Sequence, residues 1–187
     1  MTDLLEPAAL SPAEAAAHAE AIAFATERHA GQVRKGTSLP YIVHPLEVAA
    51  HLARAYPDRP ALVTAGLLHD TLEDTATTRE EIEARFGPEV ARLVAAVTKR
   101  PFRAPWALDV RDPDVVRLKA ADCVSNLRAT LVDLRRDGPA TFRRFRGGEA
   151  AKRAYYERLG RRIAETLPGD PLAERLGRLV RMLDIGP

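Results

Sequence analysis

A chain of 187 residues, 46% hydrophobic and 29% charged, has the composition of a globular protein and is long enough for one domain with a sizeable core. Its net charge of only +2 argues against a nucleic-acid partner, and Cys123, the single cysteine, excludes a disulfide framework and a cysteine-based zinc site. The longest apolar runs fall far short of the ~18 residues of a membrane helix, and no basic-then-apolar leader opens the chain, so no membrane partner and a cytoplasmic location are expected.

Helix punctuation runs along the whole sequence. Ser11-Pro12-Ala13-Glu14 reads as a capping box with proline at the first helical position, and the helix it starts should run to about Ala30 and stop at Gly31. Residues 31–44 hold two glycines and a proline and read as an ordered loop. Pro45 opens a second helix with Val48, Ala49 and Leu52 on its apolar side. A third is expected from Pro60 to about Asp74, a short fourth from Thr77-Thr78 to Gly87, and a fifth from Pro88 to about Lys99. Residues 100–113 carry three prolines and predict a loop. Asp114 is then expected to cap a long sixth helix with Val115, Leu118, Ala121, Val124 and Leu127 on one stripe. Gly138-Pro139 and Gly147-Gly148 punctuate the next stretch, before a helix over about 149–167 and a last one starting at Asp170-Pro171. Strand alternation and Asn-Gly hairpin signals are absent. The expected fold is an all-α, compact multi-helix bundle, a single domain over residues 1–187 with residues 1–10 as a flexible arm.

One stretch concentrates charge. In LLHDTLEDT, residues 67–75, an imidazole and three carboxylates follow two leucines. On a helix, residues four apart share a face, so His69 sits over Glu73 and Asp70 over Asp74. Two like charges at that spacing near a core repel one another, and a divalent cation removes the conflict. His69 and Asp70 can reach one metal, leaving Glu73 and Asp74 to act on water as general base or acid. Alone, such a string reads equally well as a solvated acidic helix end. Two further candidate ligands lie elsewhere: His44, anchored by the apolar residues before it, and Asp122, inside LKAADCVSNL. Either by itself is more often structural. Together, two His and two Asp suit Mn²⁺ or another divalent transition metal better than Ca²⁺.

The pattern His44, His69-Asp70, Asp122 resembles the HD-domain metal-dependent phosphohydrolases. The flanking text, AGQVRKGTSLPYIVHPLEVA, GLLHDTLEDT, FGPEVARLVAAVTK and LKAADCVSNLR, resembles the hydrolase domain of the bifunctional alarmone synthetase/hydrolases and, more strongly, the small stand-alone alarmone hydrolases. The resemblance runs over about residues 20–160, leaving no room for a synthetase domain in this chain. It implies Mn²⁺-dependent removal of the 3′-pyrophosphate of (p)ppGpp to give GDP or GTP. By position it implies His44, His69, Asp70 and Asp122 as metal ligands and Glu73 and Asp74 as the pair that activates water. Arg34 and Lys35 match a basic pair in the substrate loop, Lys119 a basic residue ahead of the ligand Asp, and Asn126 a ribose contact. Tyr155, with Tyr156 as the alternative, matches a tyrosine lining the nucleotide pocket. Tyr41 joins this substrate-binding set. Lys35 and Lys119 are two of only four lysines in the chain.

The sequence departs from the family in two places. Relatives read ADRLHNLR or similar where this chain has ADCVSNLR, so Ser125 replaces a His or Tyr. The 100–113 segment is also shorter than usual. These departures keep one alternative open, the same chemistry on another phosphorylated nucleotide (an adenine alarmone or NADPH); a second alternative, of a different class, is a non-catalytic nucleotide-binding sensor, against which the intact Glu73-Asp74 pair argues. The oligomeric state is left open.

Overall fold

Ser11 opens the first helix by exchanging hydrogen bonds with Glu14. The Glu14 N–H donates to Ser11 Oγ at 3.3 Å, and the Ser11 N–H donates to the Glu14 carboxylate at 2.8 Å. Helix α1 (Pro12–Arg28) follows. The computed structural model describes residues 10–98, 109–145 and 147–185. The expected N-terminal arm and most of the expected 100–113 loop therefore lie outside the described residues.

Helix α2 (Val43–Ala55) starts two residues before Pro45. The single helix expected over 60–74 is in fact two, α3 (Pro60–Leu68) and α4 (Thr71–Asp74), with His69 and Asp70 at the break. Side chains take the carbonyls of the last turn of α3. His69 Nδ1 donates to the Gly66 carbonyl at 2.9 Å, and Thr71 Oγ1 to that of Leu68 at 2.7 Å. The expected fourth and fifth helices are both present within α5 (Arg79–Val97) and meet at a kink at Gly87, whose φ of 88° is left-handed, ahead of Pro88.

Helix α6 (Pro113–Asp137) is capped by Asp112 and not by Asp114. Proline fits the first helical position, so the cap belongs to the residue before it. Asp112 Oδ1 accepts from the Asp114 N–H at 3.0 Å, and the Asp114 carboxylate instead pairs with Arg59 and with Arg117. A 3₁₀ turn (Gly138–Arg144), α7 (Gly148–Thr166) and α8 (Pro171–Ile185) complete the chain. Among the described residues the only β pairing is an isolated antiparallel bridge between Val33 and Pro40, which pins the base of the loop before α2. No helix among them is long and apolar enough to cross a membrane.

Helix α3 runs through the middle of the molecule, with every residue from Leu62 to Leu68 buried, as a helix apolar on all sides requires. Helix α6 packs against α2, α3, α5, α7 and α8, burying Leu118, Ala121, Val124 and Leu127. Helices α2 and α3 approach so closely at Gly66 that a Cβ there would lie 2.7 Å from Leu52 Cδ1 and 3.3 Å from Ala49 Cα. Gly66→Ala is therefore expected to destabilise the fold by about 1–2 kcal/mol, overpacking outweighing alanine's better helix propensity. Urea unfolding measures this, and a stabilised variant would show that the contact gives way freely.

Candidate metal centre

Three helices bring four ligand atoms to one point. His44 stands in the first turn of α2, His69 and Asp70 follow the end of α3, and Asp122 lies in the middle of α6. His44 Nε2 is 3.2 Å from His69 Nε2, 3.4 Å from Asp70 Oδ2 and 3.3 Å from Asp122 Oδ1. His69 Nε2 is 3.0 Å from Asp70 Oδ2 and 3.9 Å from Asp122 Oδ1. His44, His69 and Asp70 alone place their ligand atoms within 4.8 Å of one another, and Asp122 joins them through the two imidazoles. Bonds of about 2.1 Å to a common cation put neighbouring ligands roughly 3.0 Å apart in an octahedron and roughly 3.4 Å apart in a tetrahedron.

The hydrogen bonds behind the rings show that a cation suits this spot. The Gly66 carbonyl can only accept, so His69 carries its proton on Nδ1. Ser125 Oγ gives its own proton to the Glu47 carboxylate at 2.7 Å, so it accepts from His44 Nδ1 at 2.9 Å. Both neutral rings therefore turn Nε2 lone pairs toward each other and toward two carboxylates, a donor set that only a proton or a metal satisfies. In the metal-free protein the proton serves. Burial draws the His69 imidazole toward its neutral form, but the adjacent Asp70 carboxylate, then Asp122, outweigh it and raise the pKa to about 9. Because this value is raised, its contribution to stability is complete below about pH 6.5 and is lost as pH climbs through 9. A cation bound between the rings must displace that proton. Its apparent affinity should rise about tenfold from pH 7 to pH 8, which calorimetric titration can follow; a pH-independent affinity would exclude His69 as a ligand.

The remaining candidates surround the cluster. Tyr41 O–H donates to Asp70 Oδ2 at 2.6 Å and lies 3.4 Å from Asp74 Oδ2. Burial, then Asp70, push this phenol far above its ordinary value, so it stays a neutral donor. Lys119 Nζ donates to Asp122 Oδ2 at 2.7 Å, and Asn126 Nδ2 donates to Asp122 Oδ1. Burial opposes ionisation of Asp122, but Lys119, then His44 and His69, hold its carboxyl well below the usual range. Arg34 donates to Asn126 Oδ1 at 3.4 Å. Lys119 and Asn126 thus hold a ligand carboxylate directly, and Arg34 reaches it one residue further out.

All of these residues except His44, together with Glu73, Asp74, Lys35, Tyr155 and Tyr156, line one cavity of about 920 Å³, ample for a nucleotide. Both tyrosines reach it. Tyr156 is fully buried and Tyr155 partly so.

Three pocket residues, Arg144, Phe145 and Lys152, escaped the sequence reading, which had named Lys35. Lys35, Arg144 and Lys152 place their cations 5.6, 5.1 and 4.6 Å from the centre of the Phe145 ring, forming a basic wall with an aromatic backing. The Asp133 carboxylate accepts from Arg144, and the bare Cα of Gly36 (φ 81°) makes room for its guanidinium. Lys152, another of the four lysines, carried the same signal of rarity as Lys35 and Lys119. Arg144 and Phe145 follow a Gly-Pro turn and carried no signal.

Residues 21–101 match the family model described as HD domain. The sequence is 44% identical over 130 residues, 62% of this chain, to the guanosine-3′,5′-bis(diphosphate) 3′-pyrophosphohydrolase of Aquifex aeolicus. It is 40% identical over 126 residues, 58% of the chain, to the GTP pyrophosphokinase of Myxococcus xanthus. The chain spans under a fifth of the length of these curated relatives, 18% and 16%. Among solved structures, a metazoan ortholog of SpoT that hydrolyses ppGpp is similar with a TM-score of 0.69 and 25% identity, over 93% of this chain and 98% of that one. A Listeria monocytogenes EGD-e protein is similar with a TM-score of 0.67 and 31% identity, over 75% and 97%.

Proposed function

Because this chain belongs to the HD-domain family, we propose that it is a metal-dependent phosphohydrolase that removes the 3′-pyrophosphate of (p)ppGpp. One observation carries the reading: two imidazoles and two carboxylates converge on a cation-sized point beside an acidic pair, within a nucleotide-sized cavity that has a basic wall. The hydrolase named in Aquifex aeolicus and the ppGpp-hydrolysing metazoan protein support the substrate. We assign the cytoplasm as its location, and Mn²⁺ as its metal, since an N₂O₂ set that mixes imidazole with carboxylate suits a borderline divalent ion.

His44, His69, Asp70 and Asp122 would hold the ion. A metal bound there would supply Lewis-acid chemistry, lowering the pKa of water and polarising phosphate. The chain's own residues do the rest. Glu73 and Asp74 take the proton of the attacking water. Tyr41 fixes Asp70 through a neutral O–H and keeps Asp74 within reach. Lys119 and Asn126 fix Asp122. Arg34 stacks on the base or pairs with phosphate, and Lys35, Arg144 and Lys152 neutralise the phosphates away from the metal. Tyr155 closes the nucleotide side of the pocket.

Incubating the Mn²⁺-loaded protein with ppGpp tests this. Release of pyrophosphate and GDP is expected; a protein that binds stoichiometric metal and releases none would lose the substrate assignment. Tested on the same panel, an adenine alarmone or NADPH turned over faster than ppGpp would move the substrate within the same reaction class. Tight binding of any of these without turnover would point to a sensor.

A further inference from the structure

We propose that Ser125 and Glu47 are positioning residues of the metal centre, forming a hydrogen-bonded relay that holds His44 with its Nε2 lone pair toward the cation. The proposal rests on the reading of this site as a divalent metal centre, and on nothing about the nucleotide.

The relay is built from two helical pairs. On α2, Glu47 follows His44 by three residues, and on α6, Ser125 follows Asp122 by three, so each helix carries a ligand and a backing group on one face. Helices α2 and α6 pack against each other, and the four side chains meet across that contact. His44 Nδ1 donates to Ser125 Oγ at 2.9 Å, and Ser125 Oγ donates to Glu47 Oε2 at 2.7 Å. A carboxylate cannot donate, so the direction of both bonds is set from its end. Glu47 is held in turn by Arg128 Nη1 at 2.6 Å.

Burial makes the relay consequential. Ser125 is fully buried and His44 is 1% exposed, so no bulk water can replace the hydroxyl as acceptor for Nδ1–H. Without that acceptor the ring can adopt the other tautomer and point an N–H at the ligand position, where Asp70 and Asp122 accept it equally well. This also explains the short side chain at position 125, where resembling sequences carry His or Tyr. A serine hydroxyl reaches His44 and leaves Glu47, partly exposed, to complete the chain. Ser125 therefore backs the metal ligand instead of facing the nucleotide.

Calorimetric titration of the full chain with Mn²⁺, without nucleotide, tests the relay. Ser125→Ala is expected to weaken Mn²⁺ binding about 10–100-fold, with Ser125→Thr restoring it to within a few-fold. Glu47→Gln should weaken binding a few-fold in the wild-type background and not at all in the Ser125→Ala background, because the relay is already cut there. Folded Ser125→Ala protein with wild-type Mn²⁺ affinity overturns the proposal. So does a Glu47→Gln effect of equal size in both backgrounds. Should Ser125→Ala fail to fold, Glu47→Gln at the partly exposed end decides alone, and unchanged affinity there overturns the relay. Hydrolysis of ppGpp is scored separately. Wild-type protein that binds Mn²⁺ yet leaves ppGpp intact removes the substrate reading and not the relay; wild-type Mn²⁺ affinity in Ser125→Ala with ppGpp hydrolysis intact removes only the relay.

Discussion

Glu73→Ala protein is expected to bind Mn²⁺ within a few-fold of wild type and to lose about 10²–10⁴-fold in kcat toward ppGpp. The reasoning starts from the break between α3 and α4. His69 and Asp70 stand at the break beside His44 and Asp122, while Glu73 and Asp74, on the next turn, line the same cavity. Glu73 lines the cavity one turn beyond Asp70 and is not among the four proposed ligands, so its removal is expected to leave that donor set complete. On the proposed mechanism, what it removes is a proton acceptor for the attacking water. Single-turnover measurements with saturating metal separate chemistry from binding. If instead kcat survives and Mn²⁺ affinity falls in parallel with rate at low metal, Glu73 is a ligand and the assignment of the acidic pair fails.

The second large effect concerns Asp122. Asp122→Ala should weaken Mn²⁺ binding at least about 100-fold, and it should also cost roughly 3–5 kcal/mol of stability, because it strands a largely buried lysine. Lys119 lies 2.7 Å from Asp122 Oδ2, with each side chain 12% exposed. Burial opposes its charge, but the Asp122 carboxylate more than offsets this and drives its pKa well above the usual value. The double variant Asp122→Ala with Lys119→Met removes both charges, so it should regain most of the stability while still failing to hold metal. Urea unfolding of the metal-free proteins measures the first part and calorimetry the second. A double variant no more stable than Asp122→Ala would mean that Lys119 reaches solvent once unpaired. The pair also fixes a pH dependence. The Asp122 carboxyl is depressed, so its contribution is present above about pH 4 and is lost on acidification.

Much of the helix pattern was readable along the chain because the forces that start and stop helices act over a few residues. Ser11 with Glu14, Pro60, Pro171 and the apolar stripe of α6 each name their element from neighbours alone. Where the reading slipped, a longer-range competitor intervened. Asp114 was expected as a cap because it looks like one, but Pro113 occupies the first helical position, and Arg59, 55 residues away, draws Asp114 into an ion pair. The break at His69 was missed because neither proline nor glycine stands at it. Its cause lies in side chains that take up the Gly66 and Leu68 carbonyls.

The same division applies to the site. The residue types at His44, His69-Asp70, Glu73-Asp74 and Asp122 already pointed toward a metal-dependent hydrolase in one dimension, because spacing on a helix and a resemblance in motif order need no coordinates. Their convergence depends on how closely α2, α3 and α6 pack, and for α2 and α3 that depends on the bare Cα of Gly66 against Leu52 and Ala49. Neighbours beyond the proposed ligands became visible only in three dimensions. Lys119 and Asn126 read as substrate contacts; they line the cavity and also bond Asp122. Ser125 read as a departure that unsettled the substrate, yet it stands behind His44 with Glu47, 78 residues away along the chain. A hydrogen bond has no sequence signature when its partners lie on different helices; only the packing of those helices determines which acceptor a buried donor finds.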